Sequence, residues 1–115
     1  MAGDGDQAIL IMVTAGGRDD AERLGEGLVV EHLAGHCSVV PMVHSFYFSD
    51  GLLQRDSQAL LLVKTIRSRS DAVHEYLREH HTYEMPEIVE LAIDAGSSRY
   101  LKWLAEQVAK PGSDR

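Results

Sequence analysis

The sequence predicts an α+β fold: a four-stranded antiparallel sheet with helices packed on one face. Three observations predict it. Apolar runs of strand and helix periodicity alternate in the order β-α-β-β-α-β-α. The two central strand-type runs are separated by a turn signal, Ser49-Asp50-Gly51, and not by a helix. The chain has 115 residues, 44% of them hydrophobic, which suffices for one domain with its own core. Two βαβ-like halves joined by a hairpin form the split βαβ, ferredoxin-like arrangement, closed here by an extra C-terminal helix. Many unrelated functions use that architecture, so function has to come from particular residues.

The elements follow in order. "AILIMVTA" is a continuous apolar run with β-branched content, so a buried strand is expected from Ala8 to Thr14. Gly16 and Gly17 turn the chain, and Asp19 and Asp20 sit where the start of a helix favours negative charge. Ala21, Leu24 and Leu28, followed by Val29 and Leu33, recur at helical spacing up to a stop at Gly35. Gly25 and Gly27 inside this helix each cost about 1 kcal/mol relative to alanine, which points to close backbone packing there.

"HCSVVPMVHSFYF" is a long strand in which Pro41 marks a bend or an edge, because proline removes a ladder donor. "SQALLLVKT" returns as the third strand, ending at Lys64 and Thr65. Ser68 or Ser70 is expected to cap the next helix, whose Val73, Tyr76, Leu77 and His80 share one face. "EIVELAI" alternates, with Val89, Leu91 and Ile93 on an apolar face and Glu90 opposite. "GSSRYLKWLAEQVA" closes the chain as a serine-capped helix with Tyr100, Leu101, Leu104 and Val108 as its stripe. Residues 1–7 read as a disordered leader, 8–110 as the domain and 111–115 as a tail.

Composition excludes several classes of function. With 18 acidic against 11 basic residues the net charge is −7, the wrong sign for a nucleic-acid binder. No apolar run approaches the roughly 20 residues needed to span a bilayer, and no secretory signal is visible. The single cysteine forms no intrachain disulfide, which fits a reducing, cytoplasmic location. There is no Gly-rich phosphate loop and no nucleophile elbow, so no enzyme is expected.

The ordered pieces "VTA", Cys37, "HSFYFSDG", "LLLVKT", "HHTYEMPE" and "YLKWL", spread over about Ile9 to Val108, resemble the CutA divalent-cation-tolerance family. That resemblance implies a homotrimer of ferredoxin-like subunits, packed through sheet edges and the long bent hairpin. It also implies a link to copper or other divalent-ion tolerance, with weak binding of Cu(II) or a similar cation in clefts between subunits. Four positions depart from the family pattern: Gly16 and Thr82 stand where proline is usual, Ser49 where tryptophan is usual, and Val13 where some members carry a cysteine proposed as a copper ligand.

The candidate metal ligands are His80, His81 and Glu84, two imidazoles and a carboxylate that suit a divalent transition metal. A structural alternative has His80 completing the apolar stripe while His81 caps the helix end. Cys37, Tyr47, Lys64, Thr65, Tyr83, Glu87, Tyr100 and Trp103 are the candidate cleft residues. Pro86 biases Met85 toward an extended backbone and aims Tyr83 and Glu84 away from the strand, where Lys64 and Thr65 are expected to meet them. Two alternatives of different kind remain at this point. One is a signalling trimer of PII type that binds a small anion; the other is a structural or protein-binding trimer without ligand. A PII-type protein needs a long docking loop, and "FSDGLLQRD" is short for one.

Overall fold

The computed structural model describes residues 7–109. Its elements are β1 (Ala8–Ala15), α1 (Arg18–Val30), β2 (His36–Ser49), β3 (Leu52–Ile66), α2 (Ser70–His80), β4 (Ile88–Ala92) and α3 (Ser98–Val108). One sheet has the order β2-β3-β1-β4, and every neighbouring pair is antiparallel. The expected α+β, ferredoxin-like order is therefore the observed one. The expected leader and tail lie outside the described residues, apart from Gln7. Its side chain donates to the Ile93 carbonyl at 2.8 Å, and its own carbonyl accepts from the Arg67 amide at 2.8 Å.

Ile9, Ile11 and Val13 of β1 and Leu61 and Val63 of β3 point to the helix side and are fully buried. They meet Ala21, Leu24 and Leu28 of α1 and Val73 and Leu77 of α2. The close approach expected at the two helical glycines is present. A Cβ on Gly25 would stand 3.0 Å from Leu61 Cδ1 and 3.2 Å from Cys37 Cβ. At Gly27 it would overlap the Tyr76 hydroxyl.

Several boundaries differ from the sequence expectation. α1 ends at Val30 and not at Gly35, because His32 takes a left-handed conformation, φ 60°. The amides of Leu33 and Ala34 then donate back to the Leu28 carbonyl, satisfying the helix end without glycine. Neither Ser68 nor Ser70 caps α2; its N-cap is Arg69, and the Ser70 hydroxyl donates to Glu90 Oε1 at 2.5 Å. The Ser97 cap of α3 is present, accepting from the Tyr100 amide at 3.4 Å.

β3 begins at Leu52, earlier than expected, because Asp50 and Gly51 form a two-residue turn with φ 55° and 77°. Two positive φ values match the twist of a tight hairpin, so pairing continues out to Ser49 and Leu52. Pro41 falls in a register shift between Val40 and Val43, the bend its missing amide requires. The radius of gyration, 15.1 Å, exceeds the about 13 Å of a compact domain this long, consistent with an extended hairpin arm.

β4 alternates as expected but presents the opposite face. Its register places Ile88, Glu90 and Ala92 against Val13, Ile11 and Ile9, on the helix side. Val89 and Leu91 therefore face outward, 45% and 48% exposed. With Leu10, Met12, Leu60 and Leu62 they make the second face of the sheet apolar. α3 meets this face where Lys64 Nζ lies 5.7 Å from the Tyr100 ring centre.

Candidate functional site

The α2–β4 junction begins where α2 stops. His80 is its last residue; its Nδ1 donates to the Tyr76 carbonyl at 2.9 Å, and its ring stacks on Tyr76 with centres 4.0 Å apart. His81 is already extended, φ −74° and ψ 144°. Its Nδ1 accepts from the Tyr83 amide at 2.9 Å, so its proton is on Nε2, which donates to the Thr14 carbonyl at 2.7 Å. As the structural alternative has it, His81 is the C-cap of α2, its amide donating to the Leu77 carbonyl at 2.8 Å. His80 stacks on Tyr76 but stays exposed and closes the last turn through the Tyr76 carbonyl. Glu84 is exposed. Among the described residues, no three or more His, Cys, Asp or Glu side chains are grouped closely enough to hold a metal ion within one chain.

Beyond the junction lies an open cleft of about 630 Å³. Thr14, Ser45, Tyr47, Gln58, Tyr83 and Glu87 contribute its polar wall, and Phe46 and Met85 its apolar one. The Tyr83 hydroxyl accepts from Gln58 Nε2 at 3.1 Å, joining the junction to β3. The Thr14 hydroxyl donates to Glu87 Oε1 at 3.4 Å. The Tyr47 hydroxyl donates to Asp56 in a short hydrogen bond, and this carboxylate contact, with some desolvation, raises the phenol's pKa. Among the described residues, no lysine, arginine or histidine lines the cleft; Arg55 lies over the ring of the lining residue Phe46, 5.2 Å from its centre. Strand register places Thr14 and Gln58 on the same sheet face as Leu60 and Leu62, so the cleft opens onto the apolar face.

The structure thus brings Tyr47, Tyr83 and Glu87 together and separates the other expected cleft residues. Lys64 and Thr65 do not meet Tyr83 and Glu84 within the chain. β3 and β4 run in the same direction, so the end of β3 lies beside the end of β4, away from the junction that precedes it. Thr65 is fully buried and donates to the Leu33 carbonyl at 2.7 Å. Lys64 joins Tyr100 and Trp103 at the α3 end of the sheet. There Tyr100 stacks on Trp103 and its hydroxyl lies 3.0 Å from His36 Nδ1. Desolvation raises the Tyr100 pKa. Cys37 lies apart, in a groove between α1 and β2, where burial pushes its thiol up to about 12. It is therefore a protonated packing group at neutral pH.

Thr14, Ser45, Asp56 and Gln58 were missed by sequence reasoning. Alternation identified their strands, but only the pairing of β2 with β3 and of β1 with β3 brings them to one end of one face.

The fold and cleft define a ferredoxin-like α+β protein with a projecting hairpin arm and, at its base, a cleft lined by polar side chains and the Glu87 carboxylate. The chain belongs to the CutA1 divalent ion tolerance protein family, which it matches over residues 9–107. It is similar to the chloroplastic protein CutA 1 of Oryza sativa subsp. japonica, 35% identical over 97 residues, covering 84% of this chain and 55% of that protein. It is also similar to the divalent-cation tolerance protein CutA of Pectobacterium atrosepticum, 33% identical over 97 residues, covering 84% and 88%. The crystal structure of CutA1 from Oryza sativa superposes with a TM-score of 0.86 at 33% identity, covering 89% of this chain and 94% of that one. The divalent cation tolerance protein of Thermus thermophilus gives 0.84 at 34% identity, covering 88% and 98%. The chain spans about half the length of the rice and Arabidopsis proteins.

Proposed function

We propose that this chain serves divalent-ion tolerance as a homotrimer that binds a cation such as Cu(II) weakly in clefts between its subunits. The observation that carries the cation is the cleft lining: hydroxyls, an amide and the Glu87 carboxylate, with no basic side chain among the described residues. Such a wall attracts a cation and repels a small anion, which favours this function over a PII-type anion sensor. The tight Asp50-Gly51 turn also leaves no loop for PII-type docking.

The candidate ligands are His80, Glu84 and the cleft carboxylate of Glu87. His80 Nε2 has no hydrogen-bond partner among the described residues, while both nitrogens of His81 are occupied. One chain presents too few converging ligands for a strong site, so a neighbouring subunit would complete it. The apolar sheet face supports assembly, as does the hairpin tip, where Phe48 is 75% and Leu52 66% exposed. A cytoplasmic location belongs to the same proposal and rests on the lone cysteine. Relatives are described as chloroplastic in rice and periplasmic in Archaeoglobus fulgidus.

Calorimetric titration with Cu(II) and Zn(II) tests the cation. Saturable heat is expected for the wild type, reduced in His80→Ala and in Glu87→Gln; absence of heat in the wild type overturns the proposal. Sedimentation equilibrium should give three times the 12.7 kDa chain mass, and a monomer would remove the intersubunit cleft.

A further inference from the structure

We propose that His81 is a positioning residue. Its two ring nitrogens clamp the α2–β4 junction onto β1 and present Tyr83 to the cleft. The lone pair this histidine pair leaves for a cation is His80 Nε2; that second part rests on the cation-binding proposal, and the first does not.

An amide N–H can only donate and a carbonyl can only accept, so the two bonds of His81 fix one neutral tautomer. A metal bound through either nitrogen would break one of these bonds. The bond from the Tyr83 amide to Nδ1 spans two residues, the geometry with which Asn and Asp side chains hold local turns. Thr14 is the anchor at both ends of the junction. Its carbonyl accepts from His81, its amide donates to the Glu87 carbonyl at 3.3 Å, and its hydroxyl donates to the Glu87 carboxylate. Between those two ties, Tyr83 packs on the His81 ring, centres 4.7 Å apart, and reaches Gln58. His80 has the opposite character. Its Nδ1 proton is taken by a backbone carbonyl, the arrangement that commonly orients a metal-binding imidazole, and Nε2 is unpartnered among the described residues.

The test uses the full chain, Zn(II) as probe, and nitrogen-15 NMR of the histidine rings and the Tyr83 amide. In the wild type His81 should carry its proton on Nε2 and stay unmoved as Zn(II) is added, while the His80 ring shifts. His81→Asn, whose side-chain oxygen can stand in for Nδ1, should keep the Tyr83 amide near its wild-type position. It should also keep Zn(II) affinity within about twofold. His81→Ala should displace the Tyr83 amide. A Zn(II)-dependent shift at a His81 nitrogen, or loss of affinity in His81→Asn as large as in His80→Ala, would make His81 a ligand and overturn the assignment. If the wild type binds no Zn(II), the cation proposal fails by itself, and the clamp is decided by the tautomer and the Tyr83 amide. An unmoved Tyr83 amide in His81→Ala, or a His81 proton on Nδ1, overturns it.

Discussion

Replacing Gly27 by alanine opposes two effects of similar size, and the packing of Tyr76 decides the sign. In an unobstructed helix interior the substitution gains about 1 kcal/mol. Here the new Cβ would overlap the Tyr76 hydroxyl and come within 2.8 Å of Tyr76 Cζ, well inside ordinary carbon contact. The phenol is not free to swing away, because its ring stacks on His80 and packs against the core. Overpacking of this kind costs about 1–3 kcal/mol, so Gly27→Ala should destabilise by about 1 kcal/mol net. Urea denaturation at fixed protein concentration reads this as a midpoint lowered by about 0.3–1 M, given a slope of about 1–3 kcal/mol/M. In a Tyr76→Phe background the hydroxyl oxygen is gone but the ring carbon remains, so the penalty should shrink without vanishing, and the two substitutions should couple. Displacing Tyr76 also moves the ring on which His80 rests, so the variant should bind Zn(II) more weakly. A raised midpoint, or equal shifts in both backgrounds, would refute the steric argument.

Leu91→Glu charges the outer sheet face at a half-exposed position, so the fold should persist by circular dichroism while the sedimenting mass falls toward that of one chain. An unchanged oligomer would show that this face is not the interface. Cys37 should react with a disulfide reagent at pH 8 far more slowly than a free thiol, since burial holds its proton on. Its thiol is raised from 9.0 to about 12, so the unfolded chain ionises first. The associated stability is complete below pH 9 and is lost as pH rises through about 12. Cys37→Ala should therefore unfold less steeply in alkali than the wild type; identical alkaline curves would contradict the burial argument.

The order of the elements and the hairpin were legible because their signals are local. Asp50-Gly51 needs only its own φ preferences to specify a tight turn, and Pro41 needs only its missing amide to interrupt a ladder. The side that β4 presents was not legible, because alternation has a period but no direction. Register with β1 turns Glu90 toward the helices, where Ser70 supplies a hydrogen bond and His74 Nε2 approaches to 3.4 Å. Without those partners the half-buried carboxylate would carry an unmet desolvation cost. The apolar residues Val89 and Leu91 are thereby left outside, which turns a wrong assumption about the core into evidence for a contact surface.

The site shows the same limit at finer scale. Sequence spacing places His80 and His81 about 100° apart on a helix and offers both as metal ligands. The helix ends between them: His80 closes α2, and His81 has extended backbone angles. One residue's difference therefore changes which backbone groups lie within reach. For His80 the preceding turn offers a carbonyl to Nδ1, leaving Nε2 outward. For His81 the reversed chain offers an amide to Nδ1, and the nearby end of β1 offers a carbonyl to Nε2. Identical side chains in adjacent positions thus acquire different chemistry from the place where α2 stops. A change that lengthened α2 by one residue should then release the Tyr83 wall of the cleft before it disturbed the core.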